Sequence, residues 1–589
     1  MFVNKITKMI YRSRSLIVKQ YLLHTQSLPM LTMTSSRISV LIVLSAVIGN
    51  PCAEAIWAQT HTVPSSSGNP PWSTDRDAEM RSNSVVWDQE RWQPWVVDLK
   101  PEDITHVAGY NARLFGNVRL TSADDVEPRR TPYGFITATD HLTWTIAAPA
   151  AGNYQIAVLY HSGTEDNVGS KLVVSSGSGS VAALVAHVKE DAWQGGPQDR
   201  PSFRREWLPG SLRLNKGANE LKMSVIPTAR QREFAEADLR KPLTGWPKRS
   251  LHVFAIEIVR PAVLSKMRRD APHLKSSTEW MVQGKYGIMI HWVPESYSLY
   301  GDTPAWKQYE QAVNQFDVEA FADMVAKTGA AWVVFTTTHG KYFFPGPLHA
   351  LDAVLAGRSC QRDLIGEIAD VLERRHIRLM LYFHPGPGPT EDSEWARAAG
   401  ISPVDDAKNI DIMLRIYREI GQRYGTRLAG WFIDGGSAYY WRNFSFRQLL
   451  IALKKGNPSR VVTFFQWIFP TFSPYSGDFT SDLVDFGAPL APPFPHEWKL
   501  PGGPYQGLQP QFNFTLEDEW YPEKPMHGQW PKAIYPTIML AQYCKRMARA
   551  KIPLSINIVI TQDVTPHQPF VSPASLEEMA TVRKAVRGY

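Results

Sequence analysis

The amino-acid sequence predicts a multi-domain protein in which an all-β sandwich of the jelly-roll type is followed by a (β/α)8 barrel. Three observations support this prediction. The chain has 589 residues, too many for one ordinary domain. Short β-type runs separated by Gly, Pro and Asn fill residues 86–262. In residues 275–589, strand-type and helix-type patterns alternate along the chain.

The first 85 residues are predicted to precede the folded domains. Arg37 stands before the apolar run of residues 38–48, and Ala53 and Ala55 offer a small-x-small cleavage site. Residues 1–55 are therefore interpreted as an N-terminal extension and a signal peptide. The apolar run is too short to span a bilayer, which argues against a stable membrane anchor. Residues 56–85 are rich in Ser, Pro and Thr and are interpreted as a linker. We expect a secreted or periplasmic protein.

The β-type runs of the first domain are short and alternate apolar with polar residues, as in a sheet with one buried face. They cover residues 141–149, 153–162, 170–177, 210–227 and 250–261. Turn-forming residues separate them at short intervals, which is typical of a sandwich or jelly roll.

The second domain alternates apolar strands with amphipathic helices. The predicted strands are residues 285–292, 330–340, 377–386, 428–436, 461–467, 482–489, 511–520 and 554–562. The predicted helices are residues 316–329, 363–376, 407–425, 443–456, 534–550 and 572–586. Continuous apolar strands are typical of a parallel sheet that is covered on both faces. Eight strands, each followed by a helix or a long loop, predict a TIM-like barrel.

The charge distribution argues against a nucleic-acid partner. The formal net charge is +7, but residues 1–55 hold a net charge of +5, so the rest of the chain is nearly neutral. A nucleic-acid interface needs a concentrated basic face. The 20 tryptophans are either core residues or, where exposed, flat apolar surfaces on which sugar rings stack. Cys360 and Cys544 are expected to be free, buried thiols.

Active sites of (β/α)8 barrels lie at the carboxyl ends of the strands, so polar residues at the predicted strand ends are the candidates. They are His291, Trp292, His339, Tyr382, His384, Asp434, Gln466, Trp467, Gln511, Glu517, Glu519 and Asn557. A ring of His, Trp, Tyr and Asp suits a neutral sugar, whose hydroxyls need hydrogen-bond partners and whose ring needs a flat surface.

Asp434 is the most informative of these residues. It ends the apolar segment GWFID and is followed by Gly435 and Gly436, which allow a ligand to approach the backbone closely. An acid in this position is difficult to explain as a surface charge. The alternative is a structural carboxylate that caps a helix or pairs with an arginine.

Several segments resemble the α-L-fucosidases of glycoside hydrolase family twenty-nine. They are KYGIMIHWVPESYS (285–298), FDVEAFADMVAKTGAAWVVFTTTHGKYFFP (316–345), RDLIGEIADVLERRHIRLMLYF (362–383) and GWFIDGG (430–436). TLEDEWYP (515–522) and LSINIVITQD (554–563) are similar to a lesser degree. The first domain is similar to carbohydrate-binding sandwiches attached to glycosidases, with a purely structural role as the alternative.

The resemblance implies a retaining glycoside hydrolase that acts on fucosylated or other glycans without a metal or an organic cofactor. Asp434 would be the nucleophile, and a second carboxyl group would be the acid/base. Glu517 is the first choice for that role and Glu519 the second, with Glu497 and Asp482 as further alternatives. The predicted substrate-binding residues are His291, Trp292, Trp306, His339, Tyr382 and Trp431.

The sequence departs from the family pattern in three places. Gly340 stands where the family usually has the second of two adjacent histidines. Gln511, which cannot donate a proton, stands where many members have the acid/base glutamate. The sandwich precedes the barrel, whereas the family usually carries one after it. A barrel glycosidase for a different sugar and a catalytically degenerate glycan-binding protein are therefore the alternative functions.

Overall fold

A computed structural model of the chain describes residues 95–121, 131–161, 168–177, 179–185, 204–240, 250–294, 305–339, 341–384, 392–401, 407–434, 443–464, 478, 482–483, 508–521, 530–562 and 569–588. All of the described residues belong to one compact unit. The predicted signal peptide and linker lie outside the described residues. Among the described helices, none has the length and apolar character needed to cross a bilayer.

Two mostly antiparallel sheets form the N-terminal part of the described chain. Their strands are β1 (Val97–Asp98), β2 (Thr105–Ala108), β3 (Arg113–Phe115), β6 (His141–Ala148), β7 (Gly152–His161), β8 (Lys171–Ser176), β9 (Gly179–Leu184), β10 (Arg204–Trp207), β11 (Leu212–Leu214), β12 (Gly217–Ile226) and β13 (His252–Val259), while β4 (Arg119–Leu120) and β5 (Pro132–Tyr133) form a separate pair. The first sheet has the order β1-β6-β12-β8-β9, with β3 also paired to β6. The second has the order β10-β7-β13-β2, with β11 also paired to β7.

The two sheets pack face to face around one hydrophobic core. In β12, Leu221 and Met223 are buried whereas Glu220 and Lys222 are exposed, which is the alternation that a half-buried strand requires. Buried side chains of both sheets belong to the same cluster, with Trp144 among the largest of them. The five predicted β-type runs are confirmed as strands of this sandwich.

The C-terminal part contains eight parallel strands in one sheet. They are β14 (Tyr286–Ile290), β15 (Trp332–Thr338), β16 (Arg378–Phe383), β17 (Leu428–Ile433), β18 (Val461–Phe464), β19 (Asp482–Leu483), β20 (Phe512–Thr515) and β21 (Leu554–Asn557). Their order is β18-β17-β16-β15-β14-β21-β20-β19, and all described pairings are parallel. Each of the eight predicted barrel strands contains one of them.

The sheet curls, but the described residues do not include a pairing between β18 and β19. Asp478 partly spans this gap, because its backbone N donates to the Val462 carbonyl at 2.9 Å and its carboxylate accepts from Val462 N at 2.8 Å. Gln509 N in turn donates to the Asp478 carbonyl at 3.3 Å. The strand order is that of a (β/α)8 barrel, and its complete closure stays a prediction.

Helices follow or precede these strands, and each of the six predicted helical segments coincides with one of the described helices. The described helices are α1 (Ala229–Leu239), α2 (Pro261–Leu274), α3 (Glu279–Gly284), α4 (Ala305–Gln315), α5 (Val318–Thr328), α6 (His349–Asp352), α7 (Leu364–Glu373), α8 (Ser393–Ala399), α9 (Ala407–Tyr424), α10 (Phe446–Leu453), α11 (Thr537–Arg549) and α12 (Pro573–Arg587). Asp317 and Asp363 start α5 and α7 by accepting hydrogen bonds from backbone N–H groups of the first turn, each at 3.0 Å.

The barrel strands bury both of their faces, in two different environments. Met289, Val334, Met380 and Phe432 face the interior of the curled sheet and form one cluster there. Their immediate chain neighbours, such as Ile288, Ile290 and Val333, pack outward in the larger cluster that includes the helices. This period of two decides which strand-end side chains enter the interior.

Helix α3 covers the amino end of the interior. Met281 belongs to the interior cluster, and Trp280 packs edge-on against Trp332, with ring centroids 5.7 Å apart. Gly287 makes room for Trp332, because a Cβ atom at position 287 would lie 2.4 Å from atoms of the indole ring. A functional site is therefore expected at the opposite end of the interior, where the carboxyl ends of the strands lie.

The connection from β1 to β2, together with β2 itself, binds the segment that leads into α10. Three successive residues of that segment are held: Asn443 Oδ1 accepts from His106 N at 3.0 Å, the Phe444 carbonyl accepts from Lys100 Nζ at 3.1 Å, and Ser445 Oγ donates to the Asp103 carboxylate. Ser445 also caps α10 by accepting from Gln448 N at 3.1 Å. The sandwich therefore fixes the start of the helix that follows barrel strand β17.

A buried ion pair lies in the second sheet of the sandwich. Arg205 donates two hydrogen bonds to Glu257, at 2.7 and 2.9 Å, and His106 Nδ1 lies 3.4 Å from the same carboxylate. Burial opposes ionisation of Glu257, but Arg205 and His106 outweigh it and lower the Glu257 pKa to about 2. Glu257 is therefore a charged, structural carboxylate.

Candidate active site

The carboxyl ends of several barrel strands bring a compact group of polar and aromatic residues together. His291 follows β14, His339 follows β15, Tyr382 lies near the end of β16, and Asp434 follows β17. His291, Tyr382 and Asp434 each stand two residues after one of the interior positions named above, so they occupy the same side of their strands. His339 stands five residues after Val334, and β15 changes register between Thr336 and Thr338 before it. Four of the predicted site residues are therefore neighbours in the fold.

Asp434 and Tyr382 are directly linked. The Tyr382 hydroxyl donates a hydrogen bond to Asp434 Oδ2. The backbone of Asp434 is also fixed, because its N donates to the Phe383 carbonyl at 3.1 Å. Asp434 is half-buried, so it can be reached from outside while its orientation is set by the neighbouring strand.

His291 lies at the centre of the group and is neutral. Its Nδ1 is 2.7 Å from Asn557 Oδ1, and Asn557 Nδ2 donates to the Trp520 carbonyl at 2.9 Å, so the amide oxygen faces the histidine and Nδ1 is the donor. Burial lowers the His291 pKa to about 4, although the Asn557 contact and the charge of Asp434 act in the opposite direction. The Nε2 atom of the neutral ring is then an acceptor for a hydroxyl group.

His339 and two further aromatic residues complete the group. The His339 ring centroid lies 6.0 Å from that of His291, 6.0 Å from that of Tyr382 and 5.2 Å from that of Tyr521. Trp520 packs edge-on against His291 at 5.4 Å. Burial lowers the His339 pKa well below its ordinary value, and the neighbouring histidines act in the same direction. Two neutral histidines and an aromatic wall suit an uncharged, polyhydroxylated ligand.

Trp292 and Trp431, predicted to bind substrate, lie elsewhere. Trp292 is buried against Phe316, with ring centroids 5.0 Å apart, and Trp431 donates from Nε1 to the Leu453 carbonyl at 2.9 Å. Both stand one residue out of phase with the interior positions, so they face the helices. The structure therefore gives neither of them a contact with the ring of site residues.

The predicted acid/base residues occupy different environments. Glu517 is only 1% exposed, and its carboxylate accepts from Ser575 Oγ at 2.6 Å and from Val559 N at 3.1 Å. Burial raises its pKa to about 7, against these hydrogen bonds. Glu519 is exposed and directly precedes Trp520. The two carboxylates therefore differ in exposure.

Gln511 does not lie where the resemblance suggested. It precedes β20, so it stands at the amino end of the strand, and its Nε2 donates to Ser555 Oγ at 2.9 Å and to Asn513 Oδ1 at 3.0 Å. Ser555 also accepts from Trp332 Nε1 at 3.1 Å at that closed end of the interior. Gln511 is a buried structural amide at the amino end of its strand.

Several candidates lie outside what the structure describes. They are Gly340, Gln466, Trp467 and Glu497, together with the side chains of Trp306 in α4 and Asp482 in β19. Within the described ranges, no group of three or more His, Cys, Asp or Glu side chains is arranged to hold a metal ion. Cys360 and Cys544 are both buried and form no disulfide.

Sequence reasoning missed Trp520 and Tyr521. Both follow β20 in the segment EDEWYP, beyond the last strand residue, so no strand pattern marks them. Their only sequence signal was the weak resemblance of residues 515–522 to the last units of the family.

Comparisons with known proteins identify a family to which part of this chain is similar. Residues 298–473 match the family model described as Alpha-L-fucosidase, a segment that contains β15 to β18 and Asp434. The tissue alpha-L-fucosidases of Macaca fascicularis and Homo sapiens are 29% identical over 173 residues and 28% identical over 157 residues. These alignments cover 22% and 20% of this chain and 36% and 33% of the relatives.

The chain thus spans about a third of the length of the curated relatives it matches. A solved alpha-L-fucosidase from Lactobacillus casei, in complex with alpha-L-fucose, is 18% identical and covers 53% of this chain and 98% of that chain, with a TM-score of 0.38. That score is too low to support an argument. The segment of this chain that matches the alpha-L-fucosidase family model is therefore the one that holds Asp434, and the curated relatives named above are also alpha-L-fucosidases.

Proposed function

We propose that this protein is a retaining α-L-fucosidase-like hydrolase in which Asp434 is the nucleophile. The observation that carries the proposal is the position of Asp434. It lies at the carboxyl end of β17, accepts a hydrogen bond from Tyr382 and neighbours the neutral His291. The match of residues 298–473 to the fucosidase family supports the sugar.

The geometry supports a two-step reaction. In the first step a carboxylate oxygen of Asp434 forms a bond to the anomeric carbon, the glycosidic C–O bond breaks, and the leaving oxygen takes a proton from the acid/base residue. In the second step water, deprotonated by that residue, releases the sugar from Asp434. The Tyr382 hydroxyl orients the nucleophile, and the neutral histidines bind sugar hydroxyls without attracting counter-ions.

We propose Glu519 as the acid/base residue in preference to Glu517. The carboxylate of Glu517 is occupied by Ser575 and Val559, neither of which belongs to the ring around Asp434. Glu519 is exposed and belongs to the segment that carries Trp520 to His291. An acid/base residue must reach both the leaving oxygen and the attacking water, which favours a carboxylate that is not enclosed by other protein groups.

The nucleophile is tested with aryl α-L-fucosides and a mechanism-based 2-fluoro-fucosyl reagent. We expect turnover by the wild type, a loss of several orders of magnitude in Asp434→Asn, and a labelled peptide that contains Asp434. Retained activity in Asp434→Asn would refute the nucleophile assignment.

Azide tests the acid/base residue. In Glu519→Ala, we expect a slow reaction that azide restores, because azide attacks the intermediate without needing a general base. Glu517→Ala and Asp518→Asn serve as matched neighbours and should show no azide rescue. If azide rescues Glu517→Ala alone, Glu517 is the acid/base residue. If azide rescues neither Glu517→Ala nor Glu519→Ala, the acid/base carboxylate comes from another loop.

The alternative functions are distinguishable outcomes of the same assays. Turnover of a different aryl glycoside, with labelling of Asp434, would indicate a barrel glycosidase for another sugar. Binding of glycans without turnover of any substrate would indicate a degenerate, glycan-binding barrel.

Export and glycan binding by the sandwich are further proposals. N-terminal sequencing of protein recovered from the medium or envelope should find a chain that begins near Ile56, and an intact Met1 in the cytoplasm would contradict export.

In the sandwich, the second sheet contacts the barrel, and the first sheet offers an exposed aromatic side chain. Its Phe115 is 41% exposed and stacks on His141 at 4.4 Å. Affinity electrophoresis of the full chain should show glycan retardation that Phe115→Ala weakens, and equal mobility would favour a structural role.

A further inference from the structure

His384 stands beside the candidate site but has no role in the reaction proposed above. It directly follows β16, two residues after Tyr382, so the alternation of the strand directs both side chains to the interior side. Its ring centroid lies 6.3 Å from that of His339. The imidazole therefore borders the same cavity end as His291 and His339.

The backbone of His384 is held firmly. Its N donates to Thr338 Oγ1 at 3.0 Å, and its carbonyl accepts from Thr338 Oγ1 at 3.4 Å and from the Tyr342 hydroxyl at 3.3 Å. These bonds tie the residue to the end of β15 and to the segment after it. A side chain mounted on such a fixed backbone is suited to a precise contact.

The side chain of His384, in contrast, has a buried ring nitrogen that makes no hydrogen bond. His384 Nδ1 is buried and has no hydrogen-bond partner. A buried, unpaired polar atom destabilises the folded protein, so native structures rarely keep one without a reason. A ligand hydroxyl is a suitable partner, because it can donate to or accept from an imidazole nitrogen.

The sequence supplies an independent reason for an additional histidine. Position 340, directly after His339, is Gly340, where the resemblance to the fucosidases implies a second histidine. A glycine has no side chain with which to bind a hydroxyl. His384 comes from the neighbouring strand end and offers an imidazole next to His339.

We infer that His384 binds a hydroxyl group of the terminal sugar and supplies the contact that Gly340 cannot make. The inference rests on the proposed glycosidase function, which it extends by assigning a residue that decides which sugar is accepted. His384 contacts the substrate without taking part in bond making or breaking.

The test is a cycle between an enzyme variant and single-hydroxyl deletions in the substrate. For wild type and His384→Ala, kcat/KM is measured on an aryl fucoside and on its monodeoxy analogues. One deoxy position should cost the wild type about 10–100-fold, the range expected for one lost hydrogen bond to a buried partner. The same deletion should cost His384→Ala less than about threefold, because the partner is already absent.

Two controls make the result decisive. His349→Ala removes a histidine whose side chain is 88% exposed, and it should keep the wild-type dependence on every hydroxyl. His384→Asn, which retains a hydrogen-bonding side chain, replaces His384→Ala if that variant fails to fold, and it should show partial loss at the same deoxy position.

The cycle also separates this inference from the proposed function. If the wild type cleaves another glycoside, the deoxy series is made on that sugar, and if it cleaves none, the Kd values of free monosaccharides and their deoxy forms replace kcat/KM. Equal hydroxyl dependence in wild type and His384→Ala, at all positions, would overturn the role of His384 whichever sugar is bound.

Discussion

Glu517 provides a prediction that links ionisation to folding. Its carboxyl is 1% exposed, and burial raises the pKa from 4.5 to about 7 even though Ser575 and Val559 stabilise the charge. Glu578 nearby raises it further. The folded protein therefore binds the proton more tightly than the unfolded chain does. Between pH 4.5 and 7 the folded state holds more protons, so stability falls as the pH rises through this window.

The size of the effect follows from the two pKa values. The interval from 4.5 to about 7 corresponds to about 3 kcal/mol of stability, present at low pH and lost above pH 7. Glu517→Gln keeps the shape of the protonated side chain and cannot ionise. We therefore expect the free energy of unfolding of Glu517→Gln to exceed that of the wild type by about 3 kcal/mol more at pH 8 than at pH 4.5.

Urea unfolding followed by tryptophan fluorescence, at a series of pH values, measures this difference. Ser575→Ala is the matched variant, because removing the hydroxyl that stabilises the charge should raise the Glu517 pKa and deepen the loss of stability at pH 8. A constant difference between Glu517→Gln and wild type across the pH range would refute the reasoning. It would show that ionisation of this buried carboxyl is not coupled to folding.

Three further predictions concern the frame around the site. Gly287→Ala should lower the free energy of unfolding by about 1–3 kcal/mol in urea titrations, because the new Cβ would overlap the Trp332 ring. A substitution to Ala at an exposed strand position should leave the free energy of unfolding unchanged. Asp103→Ala should lower the free energy of unfolding by about 1–3 kcal/mol, because the buried Ser445 hydroxyl would lose its acceptor. An unchanged urea midpoint would show that the contact of the sandwich with residues 443–445 does not stabilise the fold. Arg460→Lys should cost at least about 3 kcal/mol, since the buried guanidinium serves five backbone carbonyls at 2.6–3.0 Å and an ammonium has only three donors.

The periodicity of the chain determined much of the architecture. Alternation in residues 210–227 predicted the strands β11 and β12, and the helical pattern of residues 407–425 predicted α9, because burying one face of an element requires that period. The position of Asp434 was also predictable, since an acid that ends an apolar parallel strand lies at the carboxyl edge of the sheet. These features depend on local order along the chain.

Other features depend on which side chains meet, and only the tertiary structure decided them. Trp292 was expected at the site as a strand-end residue and Trp431 with the family resemblance, but one residue of phase turns both side chains toward the helices. Glu517 and Glu519 are two residues apart and look alike in sequence, yet one is buried against Ser575 and the other is exposed.

The contact of the sandwich with residues 443–445 had no sequence signal at all. The reason is physical: a hydrogen bond between residues more than 300 positions apart leaves no periodic pattern in either segment. The sequence by itself determined the eight barrel strands, the longer sandwich strands, six of the described helices and the edge at which Asp434 lies. The tertiary structure determined which of the residues near that edge share a space with it, because that depends on phase, on loop paths and on long-range packing.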